Sequence, residues 1–296
     1  MQDHRVKTFL TVCRTLNYTR AGEELSLTQP AVTQHIGYLE RAYGAKLFEY
    51  RHRKLELTAA GLALYHGLSV MAHDEALLRD RVKAAACGTA VSLRIGMTLT
   101  AGEYLVAAPL ARCLANRPDV HATVRSGSTT QLLRQLQNGL IDCAFVEGFY
   151  DSAAFKGDTF CTEPFVGVCA GTHRFATTPN TFDDLLDETL VVREPGSGSR
   201  EVLEHLLAGS NLSLSSFANV CEVESLDVIK VFVAQDLGIS FMYQAATLRE
   251  CEEGSLRTIQ LKGKKATHDV SFVRLHGSAF EDEMARLFED VRRMRL

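Results

Sequence analysis

Gln29, Thr33, Gln34 and His35 share one side of the segment LSLTQPAVTQHIGYLE, residues 25–40. The other side carries Val32, Ile36 and Leu39 at helical spacing. A helix that only faced water would usually show Lys and Glu outward. Uncharged hydrogen-bonding groups are suited instead to base edges. Gln pairs with adenine through two hydrogen bonds, and Thr offers thymine both a hydroxyl and a methyl. Thr28 is placed to cap this helix, and Pro30 falls in its first turn, where a missing N–H costs nothing. Further on, Arg51, Arg53 and Lys54 crowd into one short basic tip, the chemistry that phosphates and minor grooves attract. Arg5, Arg20 and Arg41 are further phosphate candidates. The predicted DNA contacts are Arg20, Thr28, Gln29, Pro30, Thr33, Gln34, His35, Arg51, Arg53 and Lys54. A helical module docking on another protein is the competing reading. The basic tip and the Pro-initiated helix count against it.

A second set of residues falls where strands end and helices begin. MTLTAGE supplies Thr98 and Thr100, and RSGSTTQ supplies Ser126, Ser128 and Thr129. REPGSGSR supplies Ser197, Gly198 and Ser199, and VESLDV supplies Ser225. Free N–H groups at helix starts, with hydroxyls beside them, suit a small anion such as a carboxylate or sulfate. Glu147, in FVEGF, directs the expectation toward an effector that also carries an amino or hydroxyl group, an amino-acid-like or carboxylate metabolite. Taken singly, each Ser or Thr reads better as an ordinary N-cap. The convergence of four junctions is what points to a site. Catalysis finds no support. The chain has no G-x-S-x-G, H-E-x-x-H, P-loop or paired metal cysteines. His35, His52, His173 and His268 are scattered, and Asp183–Asp184 and the acidic run at 281–283 read as helix-start or solvated charges. No enzyme activity, cofactor or metal is expected.

The elements that must position these groups can be sketched from periodicity. Residues 3–17 predict a helix, Thr19 a cap for a second short one, and Thr28 the cap of a third. Two short helices with a tight link make a helix-turn-helix, and the two β-like pieces around the basic tip make a wing. Thr58 then caps a helical stretch on the order of 40 Å long. Leu64, Leu68, Met71, Leu78 and Val82 form its heptad-like seam, interrupted by Glu75. Pairing with a second copy covers such a seam economically, and packing on the chain's own body is the alternative. CGTA, 87–90, ends the helix. From 91 onward strands and helices alternate, which predicts parallel sheet in two linked α/β lobes.

Global properties agree. At 296 residues, 46% hydrophobic and 23% charged, the chain has room for two globular domains and a connector. No apolar run approaches about 18 residues, so no membrane partner is expected. MQDHRVKTFLTVCRTLN lacks the apolar core of a signal peptide, which predicts a cytoplasmic protein. The eight cysteines include no C-x-x-C pair and sit mostly in apolar settings, as reduced core thiols do. Cys161 and Cys169 are close in sequence, but the segment between them reads as a strand that would hold them apart. Net charge is −4, split as +3 over residues 1–60 and −7 over 91–296. A mildly basic head on an acidic body suggests a polyanion partner for the head.

NYTRAGEELSLTQPAVTQHIGYLERAYGAKLFEYRHRKLELTAAG, residues 17–61, resembles the N-terminal signature of LysR-type transcriptional regulators without a gap. The matching positions include Ala21, Leu25, Gln29 through Val32, Ile36, Leu39–Glu40, Gly44, Leu47–Phe48, Leu57–Thr58 and Gly61. The order of elements after them is similar too. The resemblance implies a winged helix-turn-helix at 1–58, a linker and dimerisation helix with hinge at 59–90, and an effector-binding domain at 91–296 like a type 2 periplasmic binding protein. It implies lobe I at about 91–160 and 268–296, and lobe II at about 161–267. The implied partners are double-stranded DNA, a small-molecule effector between the lobes, a second copy or three in a homodimer or homotetramer, and RNA polymerase as a further candidate. Thr98, Thr100, Ser128, Glu147 and Ser197 are the positions expected to line the cleft. Two residues depart from the pattern. Gly22 replaces the usual alanine, a change expected to loosen its helix by up to about 1 kcal/mol. Tyr50 replaces a common arginine before the wing, although its hydroxyl can still donate to phosphate. A solute-binding component, suggested by 91–296 alone, and an enzyme are the rival classes.

Overall fold

The computed structural model describes residues 3–262 and 266–295. Asp3 opens α1 (His4–Thr15) by accepting a hydrogen bond from the Arg5 N–H. The second helix, α2 (Tyr18–Leu25), begins earlier than expected. Its cap is Asn17, whose side chain accepts from Arg20 N, and Thr19 lies inside the first turn. Asn is at least as good a cap as Thr, and here it is the residue with extended backbone. Gly22 is not a loose spot: a Cβ there would lie 2.7 Å from the Leu27 carbonyl oxygen, so glycine lets the turn fold back onto α2. α3 (Gln29–Tyr43) is capped by Thr28, which accepts from Ala31 N, with Pro30 in the first turn. β1 (Phe48–Arg51) and β2 (Lys54–Leu57) pair antiparallel as the wing. Its tip residues His52 and Arg53 both have positive φ, as a two-residue hairpin turn of this hand demands. Phe9, Val12, Val32, Ile36, Leu39, Phe48 and Leu55 form the head's core.

α4 (Ala59–Cys87) divides the predicted seam in two. Leu68 is buried and Leu64 half-buried against the head's own core. Met71, Leu78 and Val82 remain 66%, 55% and 61% exposed. A different face, with His73 and Leu77, is buried against the sensor domain. The helix packs on the chain's own body through one face and presents an apolar stripe on another.

The sensor begins with β3 (Val91–Met97), followed by a π-helical turn (Ala101–Val106) that passes into α5 (Ala107–Ala115). Pro109 explains the wider turn, since its ring would collide with the Leu105 carbonyl of a regular α-helix. β4 (Val120–Ser126), α6 (Thr129–Gln137) and β5 (Cys143–Val146) follow, and β3 pairs parallel with both β4 and β5. β6 (Phe155–Ala170) is one 16-residue strand, which contains the strand expected between Cys161 and Cys169 and extends it toward the N-terminus. It runs through the expected lobe boundary at 160/161. Lobe II adds β7 (Thr189–Val192), α7 (Gly198–Ala208), β8 (Asn219–Glu222), α8 (Leu226–Ala234), β9 (Ser240–Tyr243), α9 (Leu248–Glu252) and β10 (Leu256–Ile259). β11 (Thr267–Leu275) returns to lobe I, and α10 (Glu281–Arg293) closes the chain.

The sheet is mixed rather than wholly parallel. β6 pairs antiparallel with β11 up to Pro164, and from Phe165 onward with β9 and then β10. One seven-stranded sheet thus passes through both lobes, in the order β10-β6-β11-β5-β3-β4 with β9 on β6, while β7 and β8 pair parallel beside it. All eight cysteines are free, five of them buried. Cys161 and Cys169 stand on the same strand, about 26 Å apart along it. No helix among the described residues is long and apolar enough to cross a membrane.

Candidate nucleic-acid interface and effector cleft

Gln29, Thr33 and Gln34 are exposed on one face of α3. The Thr33 hydroxyl donates to the Gln29 carbonyl at 3.1 Å, and Gln29 Nε2 lies 3.3 Å from Thr33 Oγ1, so both side chains stand together on the outer turn. Thr28 and Pro30 are exposed at the helix start. His35 departs from the expectation. It is half-buried, and its Nδ1 lies 2.8 Å from Thr8 Oγ1, which ties α3 to α1 and takes the imidazole off the reading face. In the wing, Arg51 pairs with Glu49 at 2.8 Å. Arg53 and Lys54 have no acidic partner among the described residues and line the groove between wing and helix with Gln29 and Tyr50. Arg20 is 71% exposed with Glu24 3.9 Å away. This face offers donors to phosphates on its flanks and uncharged groups at its centre.

The second site forms at the carboxyl ends of β3, β5 and β7. Thr98, Thr100, Thr129, Glu147 and Ser197 are all buried there. The Thr129 hydroxyl donates to the Glu147 carbonyl. α7 meets this group head-on: a Cβ at Gly198 would lie 2.2 Å from the Glu147 carbonyl oxygen, an approach only glycine permits. The structure also separates caps from candidate contacts. Ser128 accepts from Gln131 N in a capping box, and Ser225 accepts from Val228 N, so both hydroxyls serve their helices. Ser197 stands at the N-cap of α7 without a side-chain cap bond, and its hydroxyl lies 3.1 Å from Ser199 Oγ. Ser126 and Ser225 are exposed, and no contact joins them to the buried group.

Glu147 is the unusual member. Burial pushes its carboxyl up to about 7, against the opposing pull of the Thr100 hydroxyl, the Arg193 guanidinium and the Thr98 hydroxyl. Its Oε2, and the Thr98 and Thr100 hydroxyls, are buried without a well-formed hydrogen bond. These three buried polar atoms have only loose hydrogen bonds to one another, which leaves them open to a ligand group that bonds them better. Periodicity missed several neighbours. Arg193, buried at the end of β7, grips Glu194 through two hydrogen bonds of 2.8 and 3.0 Å. Tyr104, on the π-turn of lobe I, receives a 2.9 Å hydrogen bond from Lys230 Nζ on α8 of lobe II. Burial works against the Lys230 charge, but Glu250, Tyr104 and Asp227 outweigh it and hold its pKa above the lysine range. The buried Tyr243 hydroxyl lies 3.2 Å from His268 Nδ1, and Phe149 packs on the His205 and His268 rings. Only a spacing signal could have marked these residues, and none exists across 126 residues of intervening chain.

α4 is fastened to lobe I. Asp74 accepts from the Ser278 hydroxyl at 2.5 Å and from Ala279 N at 2.8 Å. Arg81 pairs with Glu283 and lies 4.1 Å above the Phe280 ring.

Two family models match the chain: the bacterial regulatory helix-turn-helix protein, lysR family, over residues 4–62, and the LysR substrate binding domain over 88–294. The HTH-type transcriptional regulator CbbR of Rhodospirillum rubrum is 31% identical over 268 residues, 90% of this chain and 87% of that one. Among solved structures, full-length LysG from Corynebacterium glutamicum with bound effector Arg superposes with a TM-score of 0.63 at 17% identity, covering 100% of this chain and 98% of that one. The Synechocystis CcmR regulatory domain in complex with 2-PG gives a TM-score of 0.61 at 20% identity, covering 69% and 97%.

Proposed function

Because the chain belongs to the LysR family of DNA-binding transcriptional regulators, we propose that Gln29, Thr33 and Gln34 read its promoter DNA and that a small amino- or hydroxy-carboxylate is its effector. The early turns of α3 lie in the major groove, where their uncharged side chains meet base edges. Arg53 and Lys54, with Arg20 and Arg51, hold phosphates on either side. The exposed Met71, Leu78 and Val82 stripe joins two copies, so two heads address two half-sites. Such a protein works in the cytoplasm, beside promoter DNA and RNA polymerase.

In the cleft, the effector carboxylate sits at the start of α7, by Ser197 and Ser199. Its amino or hydroxyl group lies between Thr98, Thr100 and Glu147. The single observation that carries this reading is the trio of buried polar atoms at those three residues, none of which makes a well-formed hydrogen bond. Because α4 is anchored to lobe I, an effector that favours one lobe arrangement moves lobe II relative to the DNA-binding head. Its leverage equals its differential affinity for the two arrangements.

The test is a thermal-shift panel of dicarboxylates and their α-amino analogues, from three to six carbons, on the full-length protein. The amino members should raise the melting temperature more, and their lead should grow from pH 6 to pH 8 as Glu147 ionises around 7. No shift with any member, or equal shifts for both sets at both pH values, overturns the proposed effector class.

A further inference from the structure

Lobe II contains a cavity of about 310 Å³ that takes no part in the cleft. It lies on the face of β6, β9 and β10 that α7 covers with its C-terminal end. Phe165, Phe241 and Ile259 form a buried floor. Gly167, between them, leaves that floor without a side chain, for a Cβ there would lie 2.9 Å from Phe241 Cε1. Phe182, with its ring 5.4 Å from that of Phe241, makes one wall, and Leu206 of α7 makes the other. Protein interiors rarely keep voids larger than a water molecule, so an aromatic-lined space of this size is a feature to explain.

Its dimensions and charge select a ligand. A cavity of about 150 Å³ accepts benzene, so twice that volume suits a fused bicyclic or a substituted monocyclic ring. The mouth is polar and exposed, with Thr181, Ser210, Gln260 and Lys262 around it. Asp184, whose carboxylate feels the Lys262 charge without an ion-pair contact, is held instead by Asn180 N, Thr181 N and the Thr181 hydroxyl at 2.8, 2.9 and 3.2 Å. Lys262 makes no ion pair among the described residues, and the Gln244 amide at the inner edge has no side-chain partner among them. The apolar, aromatic-lined interior and the cation at its entrance are complementary to one kind of molecule.

We propose that this cavity is a second ligand site, for a small aromatic anion whose ring lies between Phe182, Phe241 and Leu206 and whose acidic group meets Lys262. The site is joined to the cleft by α7. Ser197 and Ser199 stand at one end of that helix and Leu206 at the other, about 10 Å along its axis. An occupant pressing on Leu206 therefore acts on the helix that faces Glu147.

The probe is 1-naphthoate, titrated by calorimetry into the full-length protein, with neutral 1-naphthalenemethanol as its uncharged counterpart. Naphthoate should bind at one site per chain, and at least threefold more tightly than the alcohol. Leu206→Trp, which fills the cavity, should weaken it at least tenfold. Ser210→Trp, which shields the mouth from an exposed position, should do the same without touching the core. Lys262→Gln should make the acid and the alcohol bind alike. Absence of binding overturns the proposal. So does binding that survives both Trp variants, or that is lost instead in Thr98→Val, which would put the probe in the cleft.

Discussion

Replacing Glu147 by Gln should flatten the pH dependence of the sensor domain's stability. In the folded chain this carboxyl titrates at about 7, and in the unfolded chain it reverts to about 4.5. Between those values the folded state holds a proton that the unfolded state has lost. Stability from this group is therefore greatest below 4.5, falls as pH rises, and is gone above 7. From 4.5 to about 7, at about 1.4 kcal/mol per pH unit, the decline is about 3.5 kcal/mol by pH 8. For a domain of this size that corresponds to a melting shift on the order of 7–14 °C. Gln has the same shape and no proton to lose, so the variant should lack this decline and exceed the parent at pH 8. Urea unfolding of both proteins from pH 5 to 8 measures the difference, in which other titrating groups cancel. Parallel profiles would refute the reasoning, because they would mean that Glu147 is solvated and ionises normally.

Three further outcomes follow from the described surfaces. Thr33→Ala with Gln34→Ala should remove about 1–3 kcal/mol of discrimination per lost base contact, and fluorescence anisotropy on operator and scrambled duplexes reads this directly; undiminished selectivity excludes α3 as the reader. Arg53→Ala with Lys54→Ala should leave sequence preference intact but lower the slope of log K against log salt by roughly 0.9 per lost phosphate contact, and an unchanged slope means the wing does not touch DNA. Met71→Asp with Val82→Asp should weaken self-association in sedimentation velocity, since both positions are exposed on one apolar face of α4, and an unaltered oligomer would assign the interface elsewhere.

Much of the head was legible because its determinants are local. Thr28, Pro30 and the Val32–Ile36–Leu39 stripe specify α3 within a single stretch of chain, and positions opposite that stripe must face outward. His35 marks the limit. It sits at the edge of the face, and only the approach of Thr8 from another helix decides that it turns inward. In the sensor, Thr98, Thr100, Glu147 and Ser197 mark strand ends in the sequence, and the fold buries all four. Which hydroxyls cap a helix and which turn to other partners could not be known, because Ser128 and Ser197 occupy the same kind of position and differ only in their hydrogen bonds. The length of β6 was hidden by its polar first half, KGDT and TEP, whose pairing partner β11 lies some hundred residues later.

By itself the sequence determined the family, the winged head, the third helix with its outward polar face and the alternation of strands and helices, since each depends on spacing within one to four turns. Tertiary structure alone decided the mixed sheet shared by both lobes, the Tyr104–Lys230 contact, the two faces of α4 and the weakened acidity of Glu147. Those features arise where distant segments exclude water from each other, and the free energy of a charge or an apolar stripe depends on what surrounds it in space rather than along the chain.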